Sequence, residues 1–235
     1  MGAHLGKRPT GNNPTGYSQR VVSIEPGYSF QGSTSGYTSG APNNDNIIEK
    51  FPFSSDTNSA DVGDLTVIRN RQSSQSSVTH GYNAGGYNPF PGVLQSVIDK
   101  FPFSSDTNAS DVGDILQETR DISGQSSSSN GYSSGGGITD RINVIQKFPF
   151  STDENSTDVG NLTDTLSRTA GQSSTTHGYA SGGSPFVNII QKFPFSSDAN
   201  ATDVGDITVV RQRPTGQSSS THGYTSGGDE GTSSI

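Results

Sequence analysis

The strongest constraint on the fold of this chain is that its sequence repeats. The phrase Lys-Phe-Pro-Phe-Ser begins at residues 50, 100, 147 and 192, so successive copies are 50, 47 and 45 residues apart. A Gly-Tyr pair recurs with similar spacing and begins at residues 36, 81, 131, 178 and 223. Repeats of this length indicate an array of similar supersecondary units that bury their hydrophobic faces by stacking on one another.

The Gly-Tyr pairs divide the chain into four whole repeats, at about residues 36–80, 81–130, 131–177 and 178–222. Two shorter ends remain, residues 1–35 and 223–235. Residues 21–40 align without a gap with residues 208–227, so the amino-terminal end matches the second half of a repeat and the carboxyl-terminal end the first half. The sequence therefore predicts one domain, residues 1–235, whose termini share a split repeat.

Each repeat is predicted to contain about four short β-strands. The alternation within residues 188–195 predicts a half-buried strand, one side of which carries Ile189, Gln191, Phe193 and Phe195. Pro194 favours an outer strand or a strand end, because proline has no N–H to donate to a ladder. The phrase Asp-Val-Gly-Asp that follows begins a further strand, and no stretch has a helical period. The expected fold class is therefore all-β.

A two-residue hairpin turn is predicted at His222 and Gly223, between two short strands of the last repeat. Turns of type I′ and II′ require positive φ, which glycine adopts freely and which asparagine or histidine tolerates better than most residues. The residues at the position of His222 in the other copies are Ser35, His80, Asn130 and His177. Because Asn and Ser can replace the imidazole, we interpret His222 as a turn residue and not as a catalytic base or metal ligand.

The composition restricts both the core and the partners. Only 27% of the residues are hydrophobic and tryptophan is absent, which excludes a large aliphatic core. We expect the apolar layers between sheets to be formed by Phe51, Phe53, Phe101, Phe103, Phe148, Phe150, Phe193 and Phe195. The net charge of −8, without a basic stripe, opposes nucleic acid as a partner. The absence of cysteine excludes disulfides and thiolate metal sites.

The first residues, Met-Gly-Ala-His-Leu-Gly-Lys-Arg, lack the apolar region of a secretory signal, and no run is long enough to span a bilayer. We therefore expect synthesis in a cytoplasm, without a signal peptide and without membrane insertion.

Two resemblances follow from the repeated phrases. Tyr-x-x-Gly-Gly, an apolar-aromatic strand after it, and an arginine before the next glycine-rich hairpin resemble Kelch-type β-propeller repeats. The tryptophan usual in that family is absent, and Val204 or Ile207 stands near its expected place. The full phrase, from Lys-Phe-Pro-Phe-Ser-Ser-Asp to Gly-Tyr-x-Ser-Gly-Gly, resembles a repeat of marine phage virion proteins, those of cyanophages especially. This second resemblance covers residues 36–228.

The resemblance implies a β-propeller of four-stranded blades of about 47 residues. Four whole repeats and one split between the termini predict five blades, since a split blade closes the ring and removes exposed strand edges. A four-bladed ring with ordered tails is the alternative, because the split blade has no copy of Phe-Pro-Phe.

Two sets of side chains are candidate ligand sites. Asp-x-Asn loops favour hard cations such as calcium, and the candidate loops contain Asp56, Asn58, Asp61, Asp64, Asp198, Asn200, Asp203 and Asp206. Simple Asx turns explain the same loops without a metal. The tyrosines that could stack on sugar rings are Tyr82, Tyr132, Tyr179 and Tyr224.

The sequence is compatible with two functions. Because Ser, Asp and His recur in the repeats without one distinct position, we expect no enzyme and no cofactor. The first hypothesis is a rigid protein-protein interaction disc in a phage virion, on the capsid, tail or a fibre, contacting other virion proteins or copies of itself. Its candidate contact loop, residues 87–96, carries Tyr87, Phe90 and Leu94. The alternative is a multivalent lectin that binds surface glycans.

Overall fold

The computed structural model describes residues 34–41, 45–137 and 139–231. Every regular element among them is a β-strand, which confirms the all-β prediction. The predicted amino-terminal half-repeat falls mainly on residues 1–33, which lie outside the described residues. Within the described ranges, no helix has the length and hydrophobicity needed to cross a bilayer.

The strands form successive antiparallel units, which we number in chain order. Unit 1 contains β1 (Ser35–Ala41), β2 (Asp45–Pro52) and β3 (Ala60–Asp64). Unit 2 contains β4 (Ser73–Ser76), β5 (His80–Ala84), β8 (Val97–Pro102) and β9 (Ser110–Asp114). Between β5 and β8, a separate small hairpin is formed by β6 (Tyr87–Asn88) and β7 (Val93–Leu94).

The later units follow the same order of strands. Unit 3 contains β10 (Ser123–Ser126), β11 (Asn130–Ser134), β12 (Val144–Pro149) and β13 (Thr157–Asn161). Unit 4 contains β14 (Ala170–Ser173), β15 (His177–Ser181), β16 (Val187–Pro194) and β17 (Thr202–Gln212). Unit 5 contains only β18 (Thr215–Ser218) and β19 (Gly223–Ser226), after which β20 (Asp229–Glu230) pairs with β17.

The sheets are offset by one strand from the sequence repeats. Strand β4 ends the repeat at residues 36–80, but it pairs with β5 of the following repeat, with Ser76 opposite Gly81. The same offset joins β10 to β11 and β14 to β15. Each four-stranded sheet is therefore assembled from two consecutive repeats, which ties the repeats together.

The hairpin between the first two strands of units 2 to 5 is displaced from its predicted position. In unit 5 the N–H of Ser219 donates to the carbonyl of His222 at 2.7 Å, so Ser220 and Thr221 form the centre of the turn. Gly223 is the first residue of β19, and neither it nor His222 has positive φ. The prediction of a type I′ or II′ turn at His222 and Gly223 was wrong, because serine hydroxyls cap the turn: Ser219 Oγ accepts the N–H of His222 at 3.0 Å.

The third strand of units 2, 3 and 4 ends at its proline, as one of the two predictions for Pro194 stated. In the complete units this strand pairs on both sides, so the proline lies at a strand end and not on an outer strand. The expected alternation is confirmed in β16, where Gln191 and Phe193 are buried, at 0% and 1% exposure, and Lys192 between them is half-buried. Strand β12 is more deeply buried, because its consecutive residues Ile145 and Gln146 are 0% and 1% exposed. Unit 3 has a neighbouring unit packed on each side, which accounts for the deeper burial.

The hydrophobic core consists of layers between neighbouring units. One cluster joins Tyr82 of unit 2 to Phe148 of unit 3, and another joins Tyr132 of unit 3 to Phe193 of unit 4. Phe101 lies in the layer between units 1 and 2. Most of the phenylalanines therefore occupy the predicted layers. The prediction was wrong for Phe51 and Phe53, which are 36% and 58% exposed because no described unit covers that side of unit 1.

The first strands of units 2 to 5 lie side by side in chain order and line one cavity of about 310 Å³. Strand β1 of unit 1 borders the same cavity. The first strands contribute small and polar residues to this lining, because β4, β10, β14 and β18 all carry the phrase Gln-Ser, whereas Tyr37 and Phe53 of unit 1 contribute aromatic rings. Small residues allow these strands to approach closely: a Cβ on Gly124 would overlap the backbone of Ser74.

Candidate functional site

The dominant recurring feature is an aromatic contact between consecutive units. Tyr82 of unit 2 stacks on Phe150 of unit 3, with ring centroids 4.8 Å apart and planes inclined by 24°. The neighbouring ring of Phe148 lies 5.6 Å from the same tyrosine. The contacts of Tyr37 with unit 2 and of Tyr132 with unit 4 have nearly the same distances. The Tyr and Phe-Pro-Phe phrases are therefore two halves of one interface.

The Gly-Tyr pair is explained by a second aromatic contact within each sheet. The ring of Phe148 lies over Gly131, which is directly opposite on the paired strand, and a Cβ at Gly131 would overlap that ring. The same relation holds for Gly36 with Phe51, Gly81 with Phe101 and Gly178 with Phe193. Glycine is needed here for space and not for a turn, because these glycines lack positive φ.

A series of buried glutamines joins the first strand of one unit to the second strand of the next. Gln75 Nε2 donates to the carbonyl of Tyr132 at 2.7 Å, and Gln125 Nε2 donates to the carbonyl of Tyr179 at 3.0 Å. Gln172 donates in the same way to the carbonyl of Tyr224 at 3.2 Å. Buried hydrogen bonds of this kind fix the register of one unit on the next, because each unmade bond would leave a buried polar group unpaired.

The side chains of the candidate calcium loops make contacts between units and within their own loops. Asp198 pairs with Lys147 at 2.6 Å, Asn200 Oδ1 accepts the N–H of Asn161 at 2.9 Å, and Asp203 Oδ1 accepts the N–H of Gly205 at 3.0 Å. In unit 1, Asp61 accepts the N–H of Gly63 at 3.1 Å.

The remaining loop residues have separate positions. Asp64 and Asp206 lie opposite isoleucines of the paired strands, and Asp56 and Asn58 are exposed. Across the described ranges, no three carboxylate or imidazole side chains are grouped closely enough to hold a metal ion. The Asx-turn interpretation therefore accounts for Asp61 and Asp203.

The histidines have a repeated structural role. Thr221 Oγ1 lies 2.8 Å from Nδ1 of His222, and the equivalent threonines contact His80 and His177 at the same distance. Burial, with a smaller contribution from a nearby lysine, lowers the pKa of His80 and His177 below the ordinary value of 6.5. Asn130 replaces the histidine in unit 3 and contacts Ser129 instead.

The sugar-stacking candidates differ in exposure. Tyr82 and Tyr132 are only 3% and 2% exposed, and burial raises the pKa of Tyr132 to about 12. The faces of these two rings are covered by phenylalanines, so they pack between units and cannot stack on a sugar. Tyr179 is half-buried, and Tyr224 is 54% exposed.

The candidate contact loop forms a small hairpin at the surface. Tyr87 pairs with Leu94 across β6 and β7, and both are half-buried. Phe90, at the tip, is 61% exposed. The structure therefore leaves Phe90 accessible, whereas Tyr87 is engaged by two arginines.

These arginines belong to a charged cluster that sequence reasoning missed. Arg71, Asp121, Arg168 and Arg213 occupy equivalent positions in successive units, all with φ between 56° and 59°. Their backbones form a chain in which the N–H of each donates to the carbonyl of the one before. The sequence signal for this cluster was the arginine before each glycine-rich hairpin, which served only as a mark of resemblance.

The cluster has more positive than negative charge. Arg168, Arg71 and Arg120 lie 3.5, 3.8 and 4.0 Å from the single carboxylate of Asp121, and Arg71 and Arg120 also lie over the ring of Tyr87. Two adjoining depressions of about 330 and 380 Å³ share Asp121 and Arg168. Guanidinium groups that are not matched by carboxylates favour oxyanions as ligands.

One interface breaks the symmetry of the repeats. Arg69 of unit 1 and Asp99 of unit 2 form an ion pair at 2.6 Å in which both side chains are fully buried. Asp99 also accepts hydrogen bonds from the N–H and hydroxyl of Thr66. At the next interface the same positions hold Thr119 and Gln146. The burial of a matched pair identifies it as a structural contact between units.

Comparison of the chain with protein-family models gives no match, and comparison with curated proteins also gives none.

Proposed function

We propose that this protein is a non-enzymatic structural and assembly protein, built as a β-propeller whose units serve as blades. Support for the propeller comes from four-stranded antiparallel units whose first strands line one cavity. Five units favour the five-bladed arrangement over four blades with tails, although the last of them has only two strands in the described residues. Such a disc is rigid and presents surfaces to which other proteins can bind.

The observation that carries this proposal is how the reactive side chains are used. Aspartates, histidines and serines, the residue types that could perform acid-base or nucleophilic chemistry, make the same scaffold contacts in unit after unit. The Lys-Asp pairs between units illustrate this: Lys50 with Asp106, Lys100 with Asp153 and Lys147 with Asp198, at 2.6–2.8 Å. Because these side chains recur in each of these interfaces, their role in holding the units together explains their presence.

We place the protein in a phage virion, made in the host cytoplasm and contacting other virion proteins or copies of itself. Support comes from the resemblance of its repeat phrase to those of marine phage virion proteins. The exposed Phe90 at the tip of the β6–β7 hairpin supplies a contact that differs between units, since among the described strands this hairpin belongs to unit 2.

Sedimentation of the native protein from infected cells tests the proposal. The protein is expected to sediment with large particles through a density gradient and to remain with them after high-salt washing. Protein found only as free, small species in the same gradient would overturn the virion role.

The alternative function is multivalent carbohydrate binding, and the arginine cluster favours acidic sugars over neutral ones. Arg71 and Arg120, which share the carboxylate of Asp121 with Arg168, line the two depressions together with Ser167 and Ser184. Carboxylate or sulfate groups suit the arginines, and sugar hydroxyls suit the serine and threonine side chains.

A glycan array probed with the folded protein at high valency, with and without calcium, decides between the two functions. Binding to uronate-bearing or sulfated sugars that is lost in Arg120→Gln would establish the lectin alternative. Binding that requires calcium would support the interpretation of the aspartate loops as calcium sites. Absence of binding by protein shown to be folded supports the structural role.

A further inference from the structure

The larger of the two depressions brings together three arginines from different units. Arg71, Arg168 and Arg213 line it, and each stands just before the first strand of its unit, in units 2, 4 and 5. Asp121, at the equivalent position of unit 3, is the single carboxylate among the described residues of this lining. Three guanidinium groups are therefore balanced by one carboxylate, although the whole chain has a net charge of −8.

The guanidinium groups gather around this carboxylate without closing on it. Arg71 Nη1 lies 3.8 Å and Arg168 Nε lies 3.5 Å from Asp121 Oδ2, whereas charge-assisted hydrogen bonds measure about 2.7–2.9 Å. The side chains of Arg71 and Arg168 are 42% and 26% exposed. Their N–H donors are therefore accessible to a further acceptor.

The neutral donors of the lining already make hydrogen bonds within the protein. Thr169 Oγ1 donates to a serine hydroxyl at 2.8 Å, and Gln72 Nε2 donates to the carbonyl of Ser39 at 2.8 Å. Arg213 pairs with Asp229 at 2.9 Å, but both side chains are 53% exposed, and exposed pairs of this kind are weak. The donors that remain for a ligand belong to guanidinium groups, which favour an anion over a neutral molecule.

The positions of the three arginines favour a tetrahedral anion. A guanidinium group presents its N–H donors as a planar fork that matches the oxygens of carboxylate and phosphate groups. A carboxylate has two oxygens and a single charge, whereas a sulfate or phosphate group has more oxygens and can have a second charge. The tetrahedral group can therefore accept hydrogen bonds from arginines of different units at the same time and offset their excess charge.

We propose that this depression binds one tetrahedral oxyanion, a sulfate or phosphate group, which joins units 2, 4 and 5 through Arg71, Arg168 and Arg213. The proposal goes beyond the assembly function, since it rests on the contacts of the described units and holds with or without a virion. The same chemistry is offered by a free ion and, under the lectin alternative, by a sulfate ester of a sugar.

Thermal unfolding of the full-length protein in sodium sulfate or sodium phosphate tests the site, with the ionic strength held constant by sodium chloride. The Tm is expected to rise and then to saturate at millimolar concentrations, because an ion that binds only the folded state stabilises it by mass action. A Tm that rises in proportion to the sulfate concentration without saturating would overturn the proposal. Exclusion of sulfate from the protein surface has that effect without any site.

Charge variants locate the bound ion. Arg71→Gln and Arg168→Gln should each weaken the apparent affinity by about tenfold, since each removes charge-assisted hydrogen bonds. Asp121→Asn should strengthen it by about tenfold, because the competing carboxylate is removed and asparagine tolerates the φ of 57° at this position. Lys192→Gln is the matched control: it also removes one positive charge, but Lys192 pairs with the first residue of β17, whereas Arg213 follows the last.

The shift in Tm of each variant is measured from its own value without sulfate or phosphate, so a lower starting stability does not obscure the comparison. Unchanged affinity in both arginine variants, or an equal loss in Lys192→Gln, would overturn the site. Glucose 6-sulfate, measured in parallel, identifies the source of the oxyanion. Binding tighter than that of inorganic sulfate supports the site and assigns it to sulfated sugars, and equal or weaker binding supports it as a site for the free ion.

Discussion

The interface between units 3 and 4 and the open face of unit 5 carry the same kinds of residue in different surroundings. Tyr132 is 2% exposed because Phe193 and Phe195 of unit 4 cover its ring, whereas Tyr224 is 54% exposed. The two tyrosines have the same backbone register, since Tyr132 lies opposite Gln125 and Tyr224 lies opposite Gln217 on the paired strand. The comparison teaches that each repeat supplies one side of an interface between units. Whether that side is buried depends on the unit that packs against it.

The largest expected effect separates a covered phenylalanine from an uncovered one. Phe193→Ala should lower the free energy of unfolding by about 3–5 kcal/mol, because it empties a closed aromatic layer. Phe51→Ala, at the equivalent position of unit 1, should cost much less because Phe51 is 36% exposed. Urea unfolding of both variants measures the difference, and equal losses would contradict the distinction between closed and open faces.

The buried ion pair provides the next comparison. Arg69→Thr should cost about 3 kcal/mol, because it leaves the carboxylate of Asp99 buried without its cation. The double variant Arg69→Thr with Asp99→Gln recreates the pair Thr119 and Gln146 of the next interface and should recover much of the loss.

Arg211 is the matched control for this pair, since it occupies the position of Arg69 at the open end. It pairs at 3.7 Å with Glu230, whose side chain is 54% exposed. Arg211→Thr should therefore change stability by less than about 1 kcal/mol. The free energy of unfolding is measured by chemical denaturation. If Arg211→Thr lowers it as much as Arg69→Thr does, the contribution of the arginine does not depend on burial between units.

Glycine substitutions give a smaller effect. A Cβ at Gly178 would overlap the ring of Phe193, so Gly178→Ala should destabilise the fold by about 1–3 kcal/mol. At Gly223 the nearest atoms are those of Gln172 at 3.4 Å, and Gly223→Ala should stay within about 0.5 kcal/mol. Thermal unfolding compares the two, and similar shifts in both would refute the spatial role of the glycine.

The smallest effect concerns pH. The pKa of His80 and His177 is lowered in the fold, so the unfolded chain binds more protons between the folded pKa and the ordinary value of 6.5. Their contribution to stability is complete above 6.5 and disappears as the pH falls through the folded pKa. Replacing both with Asn, which stands naturally at position 130, should flatten this part of the stability profile. An unchanged profile would assign the dependence to other groups.

Much of the architecture followed from local patterns. Alternation and the position of Pro194 predicted the third strand and its end, and the repeat spacing predicted the number of strands in a unit. The turn predicted at His222 and Gly223 lies two residues earlier in the chain. The sequence of a serine-capped turn followed by glycine is easily taken for that of a glycine turn. The arginine cluster was overlooked, because its members are 45–50 residues apart in the chain and meet only when units stack.

The sequence by itself determined the all-β class, the repeat and the composition of each face, since these depend on residues close together in the chain. Only the tertiary structure decided which copies are buried. Phe53 and Phe150 belong to the same Lys-Phe-Pro-Phe-Ser phrase, yet Tyr82 lies on Phe150 and no described residue of the chain stacks on the outer side of Phe53 in this way. The physical reason is that a ring is desolvated by its neighbour in space, and identical repeats have different neighbours at the ends of a stack.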